Sequence, residues 1–120
     1  MANFDADTLR ELRDVQEVVI RTEKHPKSGV VIWVTVADDE VFVRSWRGTK
    51  GRWYRDLAEG GPATLELAGR GLPVQAIPAS DSAAVARASR EFLRKYQPSS
   101  HASEMVRSEI LPTTLRLEPR

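Results

Sequence analysis

The chain has 120 residues, of which 41% are hydrophobic and 29% charged, with a formal net charge of +1 and no cysteine. That length suits one core of ordinary size, and the balance is that of a folded rather than a disordered chain, so we expect a single domain over residues 1–120 without linker or repeat. The missing cysteine excludes disulfides, thiolate nucleophiles and cysteine-based metal sites, and the near-neutral total charge argues against a nucleic-acid-binding module held by overall charge.

The opening MANFDADTLREL carries acidic residues early and no apolar core of signal-peptide type. No run approaches the ~18 apolar residues of a spanning helix, so cytoplasmic residence away from membranes is expected. Phe4, Leu9, Leu12 and Val15 recur at helical spacing behind Asp5 and Asp7, either of which can cap, and predict a helix over 6–14. Glu17 to Glu23 is a β-branched run and reads as a first strand. A polar turn, RTEKHPKSG, follows, and then Val30 to Ala37 is apolar on both faces, as in a strand covered on both sides. Asp38 and Asp39 supply turn residues before a third strand, Glu40 to Trp46, which makes these two runs a hairpin.

Beyond it, Trp53 to Glu59 reads as a short helix ended by Gly60 and Gly61. Leu65 and Leu67 alternate with polar residues, Gly69 to Gly71 form a turn, and a second alternating run reaches Ile77, giving another hairpin. Ser80 or Asp81 caps a longer helix in which Val85, Ala88, Phe92 and Tyr96 share one stripe, with Pro98 just past its end. A short helix over 102–109, stopped by Leu111 and Pro112, precedes a last strand, Thr113 to Glu118. About six strands joined by short connections predict an α+β domain around a mostly antiparallel β-barrel with short flanking helices.

The positive charge is concentrated in one segment. Arg44, Arg47, Lys50, Arg52 and Arg55 lie within Val41–Leu57 against the single acid Asp56, so the remaining residues are net negative. Trp46, Trp53 and Tyr54 lie in the same segment, and flat apolar surfaces among fixed cations suit a phosphorylated, ring-bearing ligand. Strand alternation puts Phe42, Arg44 and Trp46 on one face. A buried Arg44 needs a partner, either an acidic side chain of the same domain or a ligand phosphate. The loop Arg47 to Arg52, with Gly48 and Gly51, offers backbone N–H groups to an oxyanion, although as a basic turn it also reads as merely solvated. No Walker or GxGxxG spacing is present, and no nucleophile elbow accompanies Ser45. His25 and His101 have no histidine or cysteine at ligand spacing, so both read as loop residues and no metal site is expected.

The order VVIRTEKHPKSG, VIWVTVADDEVFVRSWRG, RWYRDL and terminal TTLRLEP resembles the flavin- and deazaflavin-binding split β-barrel superfamily, related to pyridoxamine-phosphate oxidases and near deazaflavin-dependent nitroreductases, and in particular one of its uncharacterised bacterial domain families. The resemblance implies a split barrel, a homodimer with FMN or a deazaflavin coenzyme between subunits, and reduction of a small organic substrate. It implies phosphate contacts from Lys24, Ser28, Ser45 and Gly48. To these, the basic segment adds Arg44, Arg47 and Lys50 as phosphate neutralisers and Trp46 and Trp53 as ring walls, with Tyr54 as the candidate catalytic proton donor. Arg44 and Arg47 stand where the nitroreductases carry small residues, and the loop before the WY pair is shorter and more basic. A cofactor-free small-ligand-binding protein or a non-redox enzyme on the same barrel is the alternative.

Overall fold

A computed structural model describes residues 3–97 and 99–120; Pro98, expected to stand just past the long helix, lies outside the described residues. Seven antiparallel strands form one curled sheet: β1 (Val18–Thr22), β2 (His25–Ile32), β3 (Val34–Ala37), β4 (Glu40–Val43), β5 (Gly61–Leu67), β6 (Arg70–Pro78) and β7 (Leu115–Pro119), in the order β2-β1-β5-β6-β7-β4-β3. The α+β domain built on an antiparallel barrel, expected from the alternating runs with about six strands, is therefore present, as a curled half-barrel of seven. The seventh strand comes from the segment expected as a polar turn followed by one strand. Chain reversal takes only Glu23 and Lys24, β2 begins at His25, and the run breaks at Trp33. Because β2 and β3 are the two outer strands of the order, the sheet's free edges meet at that tryptophan.

Two tight reversals set the register. Asp38 and Asp39 both have positive φ (50° and 64°), as do Ala68 and Gly69 (52° and 80°), the two-residue turn whose twist matches the strands it joins. Alternation then sorts the side chains. Val18 and Ile20 of β1, Leu65 and Leu67 of β5, Val74 and Ala76 of β6, and Leu115 and Leu117 of β7 fill the inside of the curl, closed by Leu9 and Leu12 of α1 (Ala6–Asp14). Asp5 caps α1 by accepting from the Thr8 N–H. α2 (Arg52–Leu57) adds Trp53 and Leu57 to the same core, and Gly60, with φ of 94°, ends the turn that follows.

A second, smaller core lies on the other face of β3 and β4. Ala37 and Phe42 pack there against Ala88, Phe92 and Tyr96 of α3 (Ser82–Tyr96), which Asp81 caps through the Ala83 N–H. β3 is buried along its whole length, as its two-sided apolarity predicts. The expected helix over 102–109 is instead two short 3-10 segments, Ala102–Val106 and Ser108–Thr113. Side chains compete for its carbonyls: Arg44 takes that of Met105, and the Thr113 and Thr114 hydroxyls donate to those of Ile110 and Leu111. Pro112 also disfavours α geometry at Leu111. Among the described residues no helix is long and apolar enough to cross a membrane.

Candidate functional site

The site lies where the free edge of β2 meets the segment between β4 and α2. β4 ends at Val43, three residues earlier than expected, because the backbone of Ser45 turns away from the sheet: its N–H donates to Thr113 Oγ1 and its carbonyl accepts from Gly48. Trp46 and Arg47 then point outward, a single 3-10 turn covers Gly48–Lys50, and α2 starts at Arg52. Together with Val30, Val31 and Ile32 of β2, this segment encloses a cleft of about 390 Å³ bordered by Trp46, Arg47, Arg52 and Trp53. Arg44 and Ser45 also line it, and among the described residues no acidic side chain does.

Several expected anion ligands are otherwise engaged. Arg44 is 1% exposed and turned into the second core, where it donates to Thr114 Oγ1 (2.8 Å), the Met105 carbonyl (2.9 Å) and the Val85 carbonyl (2.9 Å), with its guanidinium 5.3 Å from the Phe92 ring centre. Its protein partners are neutral oxygens rather than a carboxylate, and burial pulls its pKa down to about 10. Ser45 Oγ donates to the Gly48 carbonyl at 2.7 Å, and the Gly48 N–H is taken by Ser45. A Cβ on Gly51 would stand 2.5 Å from Ser45 Oγ, so glycine at this position leaves room for that hydroxyl. The loop's polar groups largely satisfy one another.

Lys24 and Ser28 do not reach the cleft. β1 lies between β2 and β5 while β4 lies between β7 and β3, so the first and third predicted strands are not neighbours and the two polar turns stay apart. Lys24 borders a separate hollow of about 170 Å³ beside Asp56. Lys50 is exposed at the loop's end. Tyr54 is half-buried, edge-on to Trp53 (6.4 Å, 89°) and packed on the barrel core, and is not among the residues lining the cleft. Arg47 and Arg52 are the two exposed cations that do line it.

A family described as "Uncharacterized protein conserved in bacteria (DUF2255)" matches residues 6–117. The chain belongs to that family. No curated protein matches this DUF2255 member. Its structure is similar to the crystal structure of a conserved hypothetical protein from Mycobacterium tuberculosis, with a TM-score of 0.63 at 12% identity over 98% of this chain and 79% of that one. At that identity the likeness concerns the fold.

Two carboxylate-centred clusters in the DUF2255 member escaped sequence reasoning, since both histidines looked like solvated loop residues. Asp56 Oδ2 accepts from Thr22 Oγ1 and meets His25 Nδ1, each at 2.6 Å. Burial opposes ionisation of Asp56, but those two hydrogen bonds outweigh it and hold its pKa below the ordinary range. Glu104 accepts from the Trp46 indole N–H (2.7 Å) and meets His101 Nδ1 (3.1 Å), and its carboxyl is likewise held low, first by Trp46 and then by His101. Only i,i+3 spacing of His101 and Glu104 hinted at the second cluster; the first joins residues distant in sequence. Among the described residues no three His, Asp or Glu side chains come together as a metal site.

Proposed function

We propose that this protein binds a flat, anionic cofactor of the flavin or deazaflavin type in the cleft between Trp46, Arg47, Arg52 and Trp53, and serves as an oxidoreductase for a small organic substrate. The observation that carries the reading is the pairing of two indoles with two exposed cations, beside the buried Arg44, around a space that no carboxylate lines among the described residues. At about 390 Å³ the cleft falls at the lower end of the ~300–1,000 Å³ of ligand sites, which suits the ring system with its tail left along the surface. Arg47 and Arg52 neutralise the tail; Trp46 and Trp53 wall the ring. The bound group would supply two-electron transfer, and the chain's part is to hold it and keep water from one face.

A homodimer completes the reading. Val31 and Trp46 are the large apolar side chains left most exposed, at 58% and 53%, and they stand together at the free edge of β2, where a second copy would roof the cleft. The test is titration with FMN and with a deazaflavin, followed by quenching of tryptophan fluorescence. Binding in the tens of micromolar, weakened about tenfold by Arg47→Ala or Arg52→Ala, is expected. Absence of quenching by either compound in that range removes the cofactor reading and leaves the cofactor-free alternative, which the internal satisfaction of Ser45 and Gly48 favours.

A further inference from the structure

A second cleft, of about 380 Å³, adjoins the basic one across Val31 and Trp46, which line both. Its other lining residues are Glu17, Trp33, His101 and Met105. Both of its indoles are fixed. Trp33 stacks on Tyr96 with ring centres 3.9 Å apart and planes within 1° of parallel, and the Tyr96 hydroxyl is anchored by the Val34 N–H and by the carbonyls of Gln16 and Val34. Trp46, although half exposed, is held by its N–H to Glu104 and by Arg107, whose guanidinium lies 5.8 Å from its ring centre and whose side chain donates to the Trp46 carbonyl. An exposed indole held from two sides presents a rigid apolar platform, because little rotamer freedom remains to be lost when a ligand covers it.

Charge decides what the platform suits. Among the described residues no Arg or Lys lines the cleft, although Arg107 stands over one face of Trp46; against that single cation, Glu17 contributes a carboxylate and Glu104 stands one hydrogen bond behind both Trp46 and His101. Indole faces are negative in their π-systems, so two fixed indoles beside carboxylates attract a cation and repel an anion. We propose that the cleft between Trp33 and Trp46 is a binding site for an organic cation, a ring-bearing amine in its ammonium form, whose charge faces Glu17 while its apolar part lies against Trp46 and Met105. The two clefts thus have opposite preferences on either side of one tryptophan, anionic on the Arg47 and Arg52 side and cationic on the Glu17 side. This site does not depend on which cofactor, if any, the basic cleft takes.

The experiment is calorimetric titration of the flavin-free protein with three probes of similar size: benzyltrimethylammonium, benzyl alcohol and phenylacetate. The cation is expected to bind at least about tenfold tighter than phenylacetate, with the alcohol between them. Glu17→Gln is expected to weaken the cation about threefold or more and leave the alcohol unchanged, and Trp46→Leu to weaken both. Arg52→Ala, across Trp46, is expected to leave the cation and the alcohol as they were and to weaken phenylacetate, which the basic cleft also attracts, so the charge comparison is made in that variant. Equal or tighter binding of phenylacetate in the Arg52→Ala protein, no heat from the cation up to about 10 mM, or a cation affinity indifferent to both Glu17→Gln and Trp46→Leu would overturn the assignment. Since no flavin is present, failure here leaves the cofactor reading standing, and failure of the flavin titration leaves this one.

Discussion

Arg44 and Arg47 are three residues apart in one basic segment, yet one is 1% exposed inside the second core and the other is exposed on the rim of a cleft. Around Arg44 the polar groups close on one another: guanidinium to Thr114 and two carbonyls, Ser45 to Thr113 and Gly48, and the threonine hydroxyls back to Ile110 and Leu111. Around Arg47 and Arg52 the cleft offers cations with no acid beside them. The same residue type thus serves as a joint between β4, α3 and the C-terminal 3-10 segments in one place and as a ligand-facing charge in the other. Burial and available acceptors decide which, and the local sequence does not.

The largest effect expected from breaking this contrast is at the joint. Arg44→Met keeps much of the stem's volume but leaves three acceptors without their donor, two of them carbonyls of α3 and of the first 3-10 segment. Buried acceptors that lose a partner cost about 1–3 kcal/mol each, only partly additive. A loss of roughly 3 kcal/mol in urea unfolding is expected, a large share of the ~5–15 kcal/mol of a domain. A loss under about 1 kcal/mol would show the joint to be incidental.

Next comes the turn that separates the two regions. Gly51→Ala drives a Cβ into Ser45 Oγ and displaces it from the Gly48 carbonyl, for an expected ~1–2 kcal/mol. Ser45→Ala alone removes one hydrogen bond, about 1 kcal/mol. In the double variant the Oγ that the new methyl would strike is gone, so the two losses should fall well short of their sum. Additive losses, measured by the same unfolding curves, would mean that the contact between the two side chains is not what fixes the turn.

How much of this was legible depends on whether the signal is local. Most strands, α1, α3 and the Asp38–Asp39 reversal follow from period and turn chemistry, because these act between near neighbours; the second reversal falls at Ala68–Gly69, and Arg70 and Gly71, expected in that turn, already belong to β6. The break at Trp33 carries no glycine or proline, and it comes from the sheet's need to turn its edge, so one apolar run became parts of two strands. In the site, Trp46, Arg47 and Trp53 were readable as aromatics among cations, and Arg52 belonged to the same cluster without being singled out. The fate of Arg44 and Ser45 was not readable, since their partners Thr113 and Thr114 are about seventy residues away. Glu104 at Trp46 is equally remote.

A smaller effect tests whether neutral oxygens suffice for a buried cation that is able to give up its proton. Lys95 Nζ donates to the carbonyls of Leu12 (2.9 Å) and Val34 (2.7 Å), and burial lowers its pKa to about 8. Between pH 8 and about 10 the unfolded chain then binds more protons than the folded one, so stability rises with pH in that window. Above about pH 10 two buried groups oppose each other: Tyr96, pushed up to about 12 by burial, pulls stability down because the unfolded phenol ionises first, while Arg44, lowered to about 10, pulls it up, so the test is confined to the window below pH 10. With solvent screening the gain is expected to be about 1 kcal/mol or less. Lys95→Met should abolish the rise between pH 8 and about 10; a rise that survives the substitution would assign it to another group.

The smallest stability effect is expected on the cleft side, and its smallness is what the comparison requires. Arg47 and Arg52 are exposed, and no side-chain hydrogen bond or ion pair joins either to an acid among the described residues. Their replacement by alanine should therefore move unfolding by no more than about 0.5 kcal/mol each, in either direction. Relief of repulsion within the basic segment can even make the double variant slightly more stable at low salt, a gain that added salt would erase. If Arg47→Ala instead costs as much as Arg44→Met, then Arg47 is a second structural joint and the cleft loses one of its two cations as a ligand-binding group. If it costs nothing while ligand affinity falls, the segment has divided its arginines between holding the fold and meeting the ligand.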